Sequence, residues 1–502
     1  MKTPRSKLLD GLARAQSALL AAVVLGTTLA FGGAAWWGRA ALSGLIALLA
    51  ACGLARAVVG RRVAVLKSPL AGLGALALGL AVVQLAPLPG PVADRLAPRV
   101  VEAEQSPASR TATVDRSMTL RWLVGAIGCL AVFVAASHHA DRLGRSLVVW
   151  SSVAACFFVN AVVGLIQLGG RSTGLYGMFE PGKSPPWAPS LGSLADAPGS
   201  TVLRLLPEAG DAASMGWAVT RPVDVEVIGT TLGGPGALVA LGSMALPLGI
   251  GLTLHLLAPR GSRLPLAERL RVSGHGPRAS LLAGLTVLGS GVVGAVGGPW
   301  LAIPVALAMS AAAAPCLRGA GLTRSALGLL AGSLVALAIG VGVGATRGHP
   351  AGSGPLVEGD LREQIRTRWA VAARVARSRP ILGVGLGGFG AAVCDYKLTD
   401  ATPRTADSSL LQFAAETGLA GVGILALGTI WCLWRLPAAC RRVGSADRAL
   451  AGGLLGATLG LAAVSAVHWT VELGAVALAA SALGGTCNRW LAGGTDLLLD
   501  HS

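Results

Sequence analysis

The sequence predicts an all-α fold, a polytopic transmembrane helix bundle of about twelve spans with a large extracytoplasmic loop that contains an interfacial amphipathic helix. Three observations predict it. Apolar stretches long enough to cross a bilayer recur along nearly the whole chain. Hydrophobic residues make up 53% of the 502 residues and charged residues only 13%, against about 25% in soluble domains. Lys and Arg gather in every second short connection, the charge asymmetry that sets membrane orientation.

A span needs about 20 mostly apolar residues to cross about 30 Å of hydrocarbon. The stretches that qualify are 16–36, 40–58, 68–88, 119–137, 146–168, 228–257, 280–297, 299–316, 324–345, 417–434, 449–468 and 471–488. They are rich in Gly and Ala, which lets helices approach closely in a medium that gives no hydrophobic drive for association. Trp36, Trp37, Trp122, Trp300, Trp431 and Trp469 fall near span ends, where indoles prefer to lie. The first stretch follows Lys2, Arg5 and Lys7 but is longer than a secretory h-region and lacks an A-x-A site, so it reads as a span.

The basic connections hold Arg56, Arg61, Arg62 and Lys67; Arg142 and Arg145; Arg260 through Arg278; Arg318 and Arg324; and Arg435 through Arg448. Facing these to the cytoplasm puts both termini inside. The net charge of +17 is then topological; no basic face with interleaved aromatics suggests nucleic acid. The eight cysteines show no CxxC pair and mostly sit in apolar runs, so neither a metal nor a disulfide is expected.

This organisation divides the chain into residues 1–345 with the first nine spans, an outer loop 346–416, the last three spans over 417–488, and a cytoplasmic tail 489–502. Other long outer connections cover 89–118 and 169–227. Within the third, 358–379 reads as an amphipathic helix, with Ile365, Trp369, Ala372 and Val375 near one face and arginines over the rest. Such a helix is expected to lie on the outer membrane surface. It runs through Arg379-Pro380 into GVGLGGFG, Gly383 to Gly390. The GxGxxG here follows a helix rather than a strand, so it reads as a tight turn and not a dinucleotide site.

Residues 366–421 resemble the core motif of the O-antigen ligase and polymerase superfamily of lipid-linked glycan glycosyltransferases. The residues that carry the resemblance are Arg366 or Arg368 before Trp369, then PILGVGLGGF (Pro380 to Phe389), Tyr396, Ala406, Leu411, Gln412, and Glu416-Thr417-Gly418. Residues 84–101 and His468 to Ala477 are similar to flanking family stretches. Asp407 and Ser408 stand where the ligases carry His and Asn, and 229–238 lacks the Asn residues usual near the sixth span. The resemblance implies transfer of a glycan from undecaprenyl-diphosphate to a saccharide or lipid acceptor at the periplasmic face of a bacterial inner membrane, without cofactor or metal. It implies catalytic roles for Arg366, Arg368 and Asp407. Substrate contacts would come from Arg374, Arg379, Tyr396, Ser408, Gln412 and Glu416.

The chemistry of the residues fits independently. Guanidinium groups stay charged and bind phosphate oxygens bidentately. They would stabilise the charge that grows on a leaving diphosphate. Asp407 or Glu416 could act as general base on an acceptor hydroxyl. Headgroup anchoring by the arginines, and capping by Asp407 and Glu416, are the plain alternatives. A lipid-linked glycan transporter would carry more intramembrane charge than this chain does; a non-catalytic component of an envelope polysaccharide system fits the absent His and Asn.

Overall fold

The computed structural model describes residues 4–29, 36–60, 69–89, 110–140, 143–170, 235–257, 276–317, 323–346, 361–393, 406, 408–442, 448–468 and 474–491. The chain is an all-α polytopic helix bundle: among the described residues, nine helices are long and apolar enough to cross a membrane. The helices are α1 (Pro4–Leu29), α2 (Trp36–Gly60), α3 (Pro69–Leu85), α4 (Arg116–His139), α5 (Leu143–Gly170), α6 (Pro235–Leu257), α7 (Gly276–Leu317), α8 (Thr323–Thr346), α9 (Leu361–Ser378), α10 (Phe389–Ala392), α11 (Ser409–Arg442), α12 (Arg448–Val467) and α13 (Gly474–Leu491). Between α3 and α4 lies one two-residue antiparallel pair, β1 (Pro87–Leu88) with β2 (Arg110–Thr111).

Helix α6 is the axis of the bundle. Its apolar length is wholly buried, and α5, α7 and α12 pack around it. Glycines permit this closeness. A Cβ at Gly251 would stand 2.9 Å from the Gly453 Cα, and one at Gly456 would stand 2.5 Å from the Ala308 carbonyl. Small residues at such spacing let backbones touch in lipid, where van der Waals packing drives association. The outer helices turn large apolar side chains outward, among them Leu54 and Val58 on α2, Val335 and Ile339 on α8, and Ile430 and Trp434 on α11. That surface suits hydrocarbon rather than water.

Several boundaries differ from expectation. Helix α1 begins at Pro4 rather than near residue 16 and ends at Leu29, with α2 starting at Trp36. Proline suits a first helical position, and Arg5 Nε donates to the Val59 carbonyl at 2.9 Å, tying the polar first turns to α2. Helix α4 begins where Asp115 caps it, its Oδ1 accepting from the Met118 amide at 3.0 Å. Helix α7 breaks at Gly298 (φ 62°, ψ −175°) just before Pro299, between the expected stretches 280–297 and 299–316. Helix α11 starts at Ser409 and breaks at Gly418 (φ 61°, ψ −159°), so its second part matches the expected 417–434 stretch.

Candidate functional site

The site is built at the end of the bundle where α3 finishes and α4 and α11 begin. Helix α9 ends at Ser378, ahead of Pro380, because a residue before proline is turned away from helical geometry. The chain then makes a compact turn in which Gly383, Gly385 and Gly387 take φ of 70°, 97° and 75°. Side chains with a Cβ rarely adopt that left-handed region, so the alternating glycines are a backbone requirement.

The turn docks on the break in α11. Val384 N donates to Ala415 O and Gly385 N to Glu416 O, each at 3.0 Å, while Leu419 N donates to Pro380 O at 2.7 Å and Ala420 N to Ile381 O at 3.2 Å. A helix break orphans carbonyls before it and amides after it. The turn supplies partners for both sets. A Cβ at Gly418 would meet the Ile381 and Pro380 carbonyls at 2.5 and 2.6 Å, so the Gly-Val-Gly-Leu-Gly and Glu-Thr-Gly motifs are two halves of one joint.

Buried polar side chains lock the joint. Glu416, 1% exposed, accepts from Gly387 N at 2.9 Å, from Phe389 N at 3.4 Å and from Gln412 Nε2 at 3.2 Å. These partners are all donors, which is what a carboxylate accepts. Gln412 Oε1 in turn accepts from Ala406 N at 3.2 Å. Gln84, at the end of α3, donates to Leu382 O at 2.6 Å and to Glu416 O at 2.9 Å, and accepts from Leu386 N at 3.1 Å. Val114 N donates to Val384 O at 2.9 Å, and Thr119 Oγ1 to Leu386 O at 2.8 Å. Burying so many polar groups is tolerable because each finds a partner.

Helix α9 covers the joint. Val371, Ala372 and Val375 are buried with Val384, Phe389, Ala392, Val393, Ala406 and Ala415. Ala372 and Val375, expected on the face toward the membrane surface, therefore pack together with Val371 on the protein's own turn. At about 100° per residue, Arg366, Arg374 and Arg377 share the opposite face, and all three are exposed. Arg368 lies about 160° around the helix from Arg366, on the side of Val375, and is half-buried. The two arginines that sequence reading paired as catalytic are thus on different faces. Arg379 is half-buried and donates from Nη1 to Ala112 O at 3.0 Å.

The remaining expected residues divide. Asp407 and Tyr396 lie outside the described residues. Ser408 is buried and caps α11: its Oγ donates to Ala466 O at 2.7 Å and accepts from Leu411 N at 3.3 Å. Capping at this start therefore comes from Ser408, where the sequence suggested Asp407. Next to it, Ser409 N and Oγ each lie 3.4 Å from the His468 carbonyl, and the His468 ring lies against Gly236 at the start of α6. His468 is thus a neighbour of Ser409, a placement that nothing local in the sequence signals across 59 positions.

The starts of α6 and α11 and the end of α12 therefore lie together, at the end of the bundle that carries the glycine joint and the arginine helix. No protein-family model matches the chain, and no curated protein matches it.

Proposed function

We propose that the protein is an O-antigen ligase- or polymerase-like glycosyltransferase of a bacterial inner membrane. It would transfer glycan from undecaprenyl-diphosphate to a saccharide or lipid acceptor at the periplasmic face. In this reading α7 crosses twice and α3 and α13 cross as short spans, giving about twelve passes with both termini cytoplasmic. The observation that carries the proposal is the joint itself: the two motifs that prompted the resemblance bond directly to each other, beneath a helix with five arginines between Arg366 and Arg379, the last of them just past its end.

The transfer would form a glycosidic C–O bond at the anomeric carbon and break the sugar–phosphate C–O bond, releasing undecaprenyl diphosphate. The acceptor hydroxyl proton would pass to a base, for which Asp407 is the expected group. Arg368, on the joint side of α9, would contact the diphosphate, with Arg366, Arg374 and Arg377 drawing it in from the exposed side. Ser408, Gln412 and Glu416 would shape the site through the hydrogen bonds described above. Arg368→Ala should lower transfer at least ~100-fold at unchanged membrane abundance, and Arg366→Ala should lower it less. Full activity in both would assign the arginines to headgroup anchoring.

A second reading, a non-catalytic component of an envelope polysaccharide system, draws on one observation. The polar ends of Ser408, Gln412 and Glu416 are engaged in internal hydrogen bonds.

A further inference from the structure

The joint lies where α3 ends and where α11 breaks, and a groove follows the seam between these two helices. At the joint, Gln84 of α3 donates to the Glu416 carbonyl, and Leu80 packs with Leu382 and Ala420. Farther along, a Cβ at Gly428 of α11 would stand 3.4 Å from Leu73 Cδ1 of α3. The helices therefore stay side by side from the joint to the first turns of α3. Along this seam Leu73 and Leu76 of α3, with Leu427, Ile430, Trp431 and Trp434 of α11, line a groove of about 590 Å³. Leu76, Leu427, Ile430 and Trp434 are exposed, so the groove opens toward lipid. Gly72 leaves room in it, since nothing lies within 4 Å of a Cβ added there.

Helical geometry carries the groove's two faces back to the joint. At about 100° per residue, Val83 of α3 stays on the face of Leu73 and Leu76, and Gly423 of α11 on the face of Leu427 and Trp434. Val83 is exposed and apolar, and nothing lies within 4 Å of a Cβ at Gly423. Depth then decides what reaches the groove from the joint. At 1.5 Å per residue, Leu427 to Trp434 lie about 14–24 Å along α11 from its break at Gly418. Half of the hydrocarbon core is about 15 Å. With the joint at one membrane surface, the groove occupies the far half. An ordinary acyl chain of the joint's own leaflet ends near the midplane. A chain anchored at the joint fills the groove only if it is longer than that.

We propose that this α3–α11 groove holds the polyprenyl chain of the lipid diphosphate whose headgroup sits at the joint, an inference that rests on the glycosyl-transfer reading above. A phospholipid of the opposite leaflet would touch the groove alone. The polyprenyl diphosphate meets the arginine helix and the groove together, so binding at one end presents the other at a high effective concentration. In lipid the groove gains nothing from excluding water; it holds the chain by close van der Waals packing along its apolar lining.

The test places the photoreactive residue p-benzoylphenylalanine at Ile430 in the groove, or at Ile339 on the outer face of α8, in the full chain in neutral detergent. Both positions are exposed. Labelled undecaprenyl diphosphate is expected to attach at Ile430 at least about fivefold more than at Ile339, because its bound headgroup concentrates its own chain there. Excess unlabelled farnesyl diphosphate competes for the headgroup position but is too short to fill the groove. It should remove about half or more of the labelling, as should Arg368→Ala. Gly72→Phe fills the groove and should also remove the labelling, whereas Gly342→Phe, set in equally open space on α8, should keep it. Equal labelling at Ile430 and Ile339 overturns the groove assignment. So does labelling at Ile430 by chain-labelled phosphatidylglycerol as strong as that by undecaprenyl diphosphate. Either result in a protein that still transfers glycan leaves the transferase reading standing. Selective, competed labelling at Ile430 in a protein that transfers no glycan supports the polyprenyl site and overturns the transferase reading.

Discussion

At the residue scale, Glu416 decides how the site holds together. Its carboxylate is almost fully enclosed and takes donors from Gly387, Phe389 and Gln412. Glu416→Ala leaves two buried amides without that acceptor, and unmet buried groups cost about 1–3 kcal/mol each. We expect the variant to lose roughly 3 kcal/mol of stability in detergent unfolding. Glu416→Gln keeps one acceptor oxygen and should lose about half as much. Equal, small losses in both would mean that the carboxylate does not hold the turn. Sequence reading had placed Glu416 either as a solvated cap or as a group meeting substrate. It could not see the enclosure, because the Gln84 and Gly387 partners arrive from α3 and from the turn, 332 and 29 positions away. The separation of Arg366 from Arg368 was legible, by contrast, since two residues apart on a helix never share a face.

At the element scale, the glycine turn needs its backbone more than any side chain. Gly385 has φ of 97°, and a Cβ there would run into Thr113, whose own backbone and hydroxyl are bonded to Gln84 and Thr119. A left-handed conformation costs a side-chain-bearing residue about 1–2 kcal/mol before any clash is counted. Gly385→Ala should therefore reduce stability by more than about 2 kcal/mol and separate α9 from α11, read as new protease sensitivity between 378 and 409. Gly423→Ala, where nothing lies within 4 Å of the added atom, is the matched control and should be neutral. Wild-type resistance in Gly385→Ala would show that the joint tolerates a side chain. The helices themselves were legible, because uninterrupted apolar runs bounded by Arg or Pro have few other solutions in lipid. Their ends were not: α1 extends back through Lys7 and Arg14 because α2 offers it a polar contact at Val59, which no local pattern encodes. Helix α9 was found as an amphipathic element, but its apolar side chains at 371, 372 and 375 settle on the turn instead of on lipid.

At the scale of the whole molecule, two polar centres occupy the two ends of one apolar bundle. The glycine joint lies where α4 begins, and the buried hydrogen bonds of Gln16 and Ser137 lie where it ends. If the basic connections face the cytoplasm, the joint faces outward. A phosphatase fused after Gly352 should then be active and one fused after Arg271 inactive, and the reverse pattern would invert the molecule. The functional account stands or falls on whether the outward end performs chemistry. The most direct measurement supplies the unaltered protein, in proteoliposomes, with a lipid donor labelled in both its glycan and its undecaprenyl diphosphate, together with an acceptor saccharide. The account predicts that labelled glycan appears on the acceptor while undecaprenyl diphosphate is released in equal amount. Donor that stays intact, whether left in place or moved between leaflets, would contradict it.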